Sequence, residues 1–179
     1  MLTLVTGGSA SGKSEYAEGL AATCNGKRYY IATMQPMGIN DTEFEARVAR
    51  HRKMRAQKGF ETIECYTNLA GVTVEQGSTV LLECLSNLAA NEFYSETGVG
   101  IQAEQAILTG VHHLCEQANH VIIVSNEIFS DGVSYDESTQ QYLQLLGSLN
   151  RGIAELAHRV VEVVYTIPVY HKKEGSEGK

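Results

Sequence analysis

Short apolar runs alternate with amphipathic stretches along the whole chain. Leu2–Thr6 reads as a first strand, broken by Gly7–Gly12. Ala17, Leu20, Ala21 and Cys24 then recur at helical spacing from Ser14 onward, and Asn25-Gly26 stops that helix. Arg28–Thr33 predicts a second strand. The stretch from Pro36 to Asp41 predicts a loop, with Asp41 or Thr42 capping a helix that runs to about Gln57. Thr79–Cys84 is nearly all apolar, as a strand buried on both faces should be. A short helix and a loop at Glu96–Gly100 follow, then a helix whose inner stripe is Ile107, Val111, Leu114 and Cys115. His120–Ser125 predicts a fourth strand. After a loop at Gly132–Tyr135, a long helix runs to about His158, and Val160–Thr166 predicts a fifth strand. Pro168–His171 suits an edge strand, where proline is tolerated.

Strands alternating with helices predict an α/β fold, a mostly parallel sheet with helices on both faces. The 179 residues suit one domain over residues 1–171, with a flexible tail at 172–179. The net charge of −7 argues against a general nucleic-acid binder but not against a nucleotide, whose phosphates one loop and one cation neutralise locally. No apolar run approaches the roughly 20 residues of a membrane span. Met1 leads directly into Leu2-Thr3-Leu4-Val5 with no basic stretch or cleavage site, so a cytoplasmic location is expected. Cys24, Cys65, Cys84 and Cys115 are widely spaced and form no C-x-x-C pair, which favours reduced thiols over a zinc site or disulfide framework.

Residues 7–14 change the picture from architecture to chemistry. Gly7, Gly8, Ser9, Ala10, Ser11, Gly12, Lys13 and Ser14 match G-x-x-x-x-G-K-[ST] between a strand and a helix, the context this phosphate loop requires. Gly7 and Gly12 permit close backbone approach, so the loop N–H groups can point at phosphate oxygens. The helix N-terminus adds positive potential. Lys13 is placed to reach the β- and γ-phosphates, and the Ser14 hydroxyl to ligate Mg²⁺. The expected fold is therefore a three-layer P-loop NTPase-like (RecA-like) one with a C-terminal edge strand. Such a site also needs an acid on a neighbouring strand. Glu83, ending Val80-Leu81-Leu82-Glu83, is the first candidate, against the alternative of a strand-end carboxylate in solvent, and Glu127 is a weaker one.

The helix expected after Asp41 is rich in Arg47, Arg50, Arg52, Lys53 and Arg55. It is either a solvated face or an anion-binding one. His51 within it lies at i+7 from Phe44 and i+3 from Val48, which fits packing on the inner face. A neutral imidazole there is equally a competent nucleophile, with arginines flanking it to hold triphosphate charge. His112, His113, His158 and His171 lack partners at metal-ligand spacing.

Six segments then point one way: Val5-Thr6-Gly7-Gly8-x-x-Ser11-Gly12-Lys13-Ser14, Tyr30-Ile31-Ala32-Thr33, Ala46-Arg47-Val48-x-x-His51-Arg52, Leu81-Leu82-Glu83-Cys84-Leu85, Val124-Ser125-Asn126-Glu127 and Gly147-x-x-Asn150. Their order and spacing resemble the bifunctional adenosylcobinamide kinase / adenosylcobinamide-phosphate guanylyltransferase family of cobalamin biosynthesis, from residue 2 to about 171. The resemblance implies that a nucleoside triphosphate (ATP or GTP) phosphorylates the aminopropanol hydroxyl of adenosylcobinamide, a corrinoid. GMP then passes from GTP through a histidine to that phosphate, giving adenosylcobinamide-GDP. The guanylylated histidine falls on His51. Ala32 and Thr33 fall on a nucleotide-contacting segment, Glu64 on an acid that reads guanine, and Glu83 on a nucleotide contact that coincides with its possible Mg²⁺ role. Arg52 and Arg55, flanking His51, are read as nucleotide-binding through their charge. A homotrimer is implied as well.

The chain departs from the family pattern in places. The usual arginine before Ser-Gly-Lys-Ser is Ala10, and residues 133–144 carry no arginine. Phe129-Ser130-Asp131-Gly132 replaces Gly-x-Gly, and Ala157-His158-Arg159 replaces Ala-Asp-Glu. These losses remove charges from the second-substrate side and leave the nucleotide side better kept. Two alternatives stand beside the bifunctional enzyme: another small-molecule P-loop kinase or NTPase with a structural His51, and a non-catalytic nucleotide-binding protein.

Overall fold

A computed structural model describes residues 1–35, 57–128, 135–173 and 175. The helix expected between residues 42 and 57, most of the loop at 132–135 and most of the tail lie outside the described residues.

The strands are β1 (Leu2–Thr6), β2 (Arg28–Ala32), β3 (Phe60–Glu64), β4 (Thr79–Glu83), β5 (His120–Val124), β6 (Arg159–Val164) and β7 (Ile167–Lys172). The described α-helices are α1 (Lys13–Thr23), α2 (Leu85–Tyr94), α3 (Ala103–Gln117) and α4 (Glu137–Leu156). The strands form one seven-stranded sheet in the order β3-β2-β4-β5-β1-β6-β7. All pairings are parallel except β6 with β7. The α/β architecture expected from the alternating pattern is the one observed.

Alternation along the central strands sorts the core onto two faces. Leu2, Leu4, Ile31, Val80, Leu82, Val121 and Ile123 pack with Leu85, Leu88, Ile107, Leu114, Leu146 and Ile153 of α2, α3 and α4. Val5, Tyr30, Leu81, Ile122, Val124 and Val161 face the other way, onto Ala17 and Ala21 of α1. The small side chains of α1 bring it close to the strands that carry the phosphate loop and Glu83.

Three expectations are corrected. The strand Phe60–Glu64 was not foreseen, because two glutamates interrupt its five residues. It lies at the sheet edge and pairs only with β2, where charge is tolerated and discourages further pairing. The strand expected over Val160–Thr166 ends at Val164, and Tyr165 and Thr166 turn the chain with φ of 48° and 66°. Two successive positive φ values are those of a tight hairpin turn that matches strand twist. The edge strand then reaches Lys172, one residue into the expected tail.

One close approach positions the edge of the sheet. A short 3-10 turn, Leu69–Gly71, follows β3 and sits on α3. A Cβ at Gly110 of α3 would lie 2.6 Å from the Leu69 Cβ and 2.9 Å from the Ala70 nitrogen. Alanine usually stabilises a helix interior over glycine by about 0.5–1 kcal/mol. Here the clash wins, and Gly110→Ala is expected to cost about 1–3 kcal/mol. A drop in the thermal midpoint of several degrees checks this; a rise would show that the turn yields.

Candidate functional site

The phosphate loop leaves the C-terminal end of β1, the edge of a parallel sheet where ligands bind in open α/β folds. A Cβ on Gly7 would lie 2.5 Å from the Val163 carbonyl oxygen and 2.7 Å from the Ser11 Oγ, so no other residue fits. Gly12 caps α1 with φ of 90°, and its Cβ position faces Thr166 at 3.0 Å. The β6–β7 turn thus braces the loop from behind, and the Thr166 N–H donates to the Ser11 carbonyl at 2.8 Å.

Lys13 is buried to 9% exposure, and its Nζ donates to the Gly8 carbonyl at 3.0 Å, spanning the loop. The Ser14 hydroxyl donates to Glu83 Oε1. Tyr30 Oη donates to Glu83 Oε2 at 3.0 Å. Glu83 therefore points at the loop rather than into solvent, with a donor on each oxygen, which offsets the cost of holding a half-buried carboxylate. Hard oxygens from a hydroxyl and a carboxylate, side by side at the head of α1, form a donor set that suits Mg²⁺.

Ala32 and Thr33 stand beside this pair. Ala32 is in register with Glu83, and the Thr33 N–H donates to the Glu83 carbonyl at 3.2 Å. Thr33 Oγ1 accepts from the Cys84 N–H at 2.7 Å and donates to the Cys84 carbonyl at 2.9 Å, across the cis Glu83–Cys84 peptide. The Glu127 N–H donates to the Gly7 carbonyl at 3.1 Å, tying the end of β5 to the loop.

Glu64 lies further along the same row of strand ends. It is in register with Ala32 and exposed, and its Oε2 accepts from Tyr66 Oη at 2.8 Å. It lines a cleft of about 560 Å³ with Gln35, Cys65, Tyr66, Asn68 and Thr97. Burial, reinforced by the nearby Glu92 carboxylate, pushes the Cys65 thiol up to about 11, so it stays protonated and is a poor nucleophile. Glu64 and Glu83 are thus separate stations on one edge. His51, Arg47, Arg50, Arg52, Lys53 and Arg55 lie outside the described residues.

Tyr30, the Thr166 turn and the hydrogen bond that Asn126 Nδ2 donates to the Ser86 Oγ at 2.7 Å were not assigned from the sequence. Tyr30 had a signal, since it alternates with Ala32 on one face of β2. The other two depend on contacts between distant segments. His158 Nδ1 accepts from the Leu2 N–H at 3.1 Å, and His171 pairs with Glu162 at 2.8 Å. All four cysteines are free. No described helix is long and apolar enough to cross a membrane.

Comparison with known proteins adds relatives to this geometry. A family model described as cobinamide kinase / cobinamide phosphate guanyltransferase matches residues 3–170. The bifunctional adenosylcobalamin biosynthesis protein CobP of Pseudomonas aeruginosa is 33% identical, covering 97% of this chain and 99% of its own length. The bifunctional adenosylcobalamin biosynthesis protein CobU of Escherichia coli is 32% identical over 94% of this chain and 98% of its own. Among solved structures, the flagellar accessory protein FlaH of Methanocaldococcus jannaschii aligns with a TM-score of 0.50 at 12% identity, over 99% of this chain and 80% of that one. That likeness concerns the fold alone.

Proposed function

The chain belongs to the cobinamide kinase / cobinamide phosphate guanyltransferase family, and on that premise we propose that it phosphorylates adenosylcobinamide and then transfers GMP onto the product, giving adenosylcobinamide-GDP. The observation that carries this reading is the built phosphate site: Lys13 folded across a glycine loop, with Ser14 hydrogen-bonded to Glu83.

In the first reaction the aminopropanol oxygen attacks the γ-phosphorus of ATP or GTP. The bond to the β-phosphate oxygen breaks, the nucleoside diphosphate leaves, and the hydroxyl proton passes to solvent. Lys13 and the loop N–H groups neutralise the charge that builds on the phosphates. Mg²⁺, held by Ser14 and Glu83, would supply further neutralisation of the β- and γ-phosphates. In the second reaction a His51 nitrogen attacks the α-phosphorus of GTP and pyrophosphate leaves. The cobinamide phosphate oxygen then attacks the same phosphorus, the P–N bond breaks, and His51 is restored. Arg52 and Arg55 hold the triphosphate during the first of these steps. A nucleotide laid along the strand ends from β1 toward β3 has its base at Glu64, whose carboxylate suits the paired N1 and N2 donors of guanine.

We also read the chain as cytoplasmic and as a homotrimer. The exposed Ile167 (64%) and Val169 (42%) on β7 support self-association. Sedimentation at three times the 19.5 kDa chain mass is the expected outcome.

The test of the function is direct: incubate the protein with adenosylcobinamide, GTP and Mg²⁺, and follow the corrinoid by chromatography and mass spectrometry. Adenosylcobinamide phosphate should appear first and adenosylcobinamide-GDP second, with pyrophosphate released in step. The loss of arginine from residues 133–144 favours one competing reading, a P-loop kinase for another small molecule. Nucleotide bound with no change in the corrinoid would support that reading and sink the first.

A further inference from the structure

We propose that Asn126 is a catalytic residue of the phosphoryl-transfer step, its side-chain amide donating a hydrogen bond to the transferring phosphoryl group. The inference rests on the kinase half of the function proposed above.

Strand β5 lies between β1, which carries the loop, and β4, which carries Glu83. Val124 is in register with Val5 on one side and with Glu83 on the other. The chain leaving β5 therefore emerges between the two halves of the phosphate site. It is fastened there, since the Ser125 N–H donates to the Val5 carbonyl at 2.9 Å and the Glu127 N–H to the Gly7 carbonyl at 3.1 Å. Asn126 stands between these two ties.

The amide of Asn126 is held from one side. Its Nδ2 donates to the Ser86 Oγ at 2.7 Å, in the first turn of α2. Ser86 Oγ is itself 3.0 Å from the Cys84 Sγ, and Thr33 brackets the Cys84 backbone. This chain of contacts fixes the amide from the β2–β4 side. An amide nitrogen has two hydrogens. The Ser86 Oγ and the Cys84 Sγ, the latter 3.9 Å from Nδ2, are 3.0 Å from each other and so lie toward the same one.

The residue type also fits. A second carboxylate beside Glu83 would repel phosphoryl oxygens, whereas a neutral amide donates to them. The acceptor oxygen bonds to the γ-phosphorus, the bridging bond breaks with its electron pair going to the departing diphosphate, and Asn126 keeps its hydrogens throughout. A contact made as charge redistributes raises kcat more than it raises nucleotide affinity.

Asn126→Ala removes the donor without adding charge, and Asn126→Asp leaves the Ser86 hydroxyl a partner to donate to, so the pair separates the donor's role from a structural one. The probe is ADP with Mg²⁺ and fluoroaluminate, a mimic of the phosphoryl in transfer. The wild type should bind it at least about 100-fold tighter than ADP alone. Asn126→Ala should keep ADP affinity but lose most of that gain, with kcat falling about 100-fold at unchanged KM for ATP, whereas Asn126→Asp, which adds charge repulsion, should lose the gain and bind ADP less tightly while keeping its thermal midpoint. An Asn126→Ala variant that keeps the gain, or that loses ADP affinity in parallel with it, overturns the inference, as does a wild type with no gain at all. A wild type that shows the gain but leaves adenosylcobinamide unphosphorylated sinks the proposed acceptor, while Asn126 stands.

Discussion

Replacing Lys13 with alanine is expected to reduce phosphoryl transfer from ATP by about 10³-fold while leaving the fold in place. A preorganised donor aimed at charge that develops in the transition state is worth about 10²–10³ in kcat. Lys13 carries a full positive charge in a place 9% exposed, which puts it at the upper end. Its structural contribution is smaller, one charge-assisted hydrogen bond from Nζ to the Gly8 carbonyl, about 1.5–3 kcal/mol before the cost of burying the ammonium. Activity and stability should therefore separate. Lys13→Arg should rescue little, because a planar guanidinium does not replace a compact ammonium inside a closed glycine loop. Initial rates beside a thermal melt read both quantities. A variant with normal melting and kcat within fivefold of wild type would remove Lys13 from the chemistry.

How far the sequence foretold these features depended on how local each cause is. The phosphate loop was legible because much of its constraint is local: a Cβ on Gly7 would lie 2.7 Å from the Ser11 Oγ within the same loop, and the same eight residues carry the chemical groups. The buried strands β4 and β5 were legible because burial on both faces leaves an unbroken apolar run. Strand β3 was not, because an edge strand needs only half its residues buried and spends the rest on charge. The Val160–Thr166 run hid a turn for a similar reason. Tyr165 and Thr166 are good strand residues by propensity, and only the antiparallel return of β7 puts them at positive φ. Glu83 was placed by the pattern of its strand, but its partner Tyr30 is 53 residues away. The Asn126–Ser86 link spans 40 residues, and no spacing rule reaches across such a gap.

His51→Ala should abolish the covalent GMP that the wild type acquires from GTP and Mg²⁺, a loss that intact-protein mass spectrometry reads as the disappearance of a GMP-sized increase. The expected effect is complete rather than partial, because no attack on the α-phosphorus forms a protein adduct without a nucleophile. The thiols offer no substitute where burial is strong: Cys65 is held protonated, pushed up to about 11, and Cys115 is raised as well. The adduct's chemistry provides a second reading. A phosphoramidate on histidine is released by acid and survives alkali, whereas a serine or threonine ester survives acid. Phosphorylation of adenosylcobinamide should persist in His51→Ala within about threefold, since Lys13, Ser14 and Glu83 are untouched. The two variants together then divide the enzyme: Lys13→Ala strikes the phosphate site that both reactions use, and His51→Ala strikes guanylyl transfer alone. A GMP-sized adduct that remains on His51→Ala would move the nucleophile elsewhere in the chain. Equal loss of both activities in His51→Ala would make His51 part of the common nucleotide site instead.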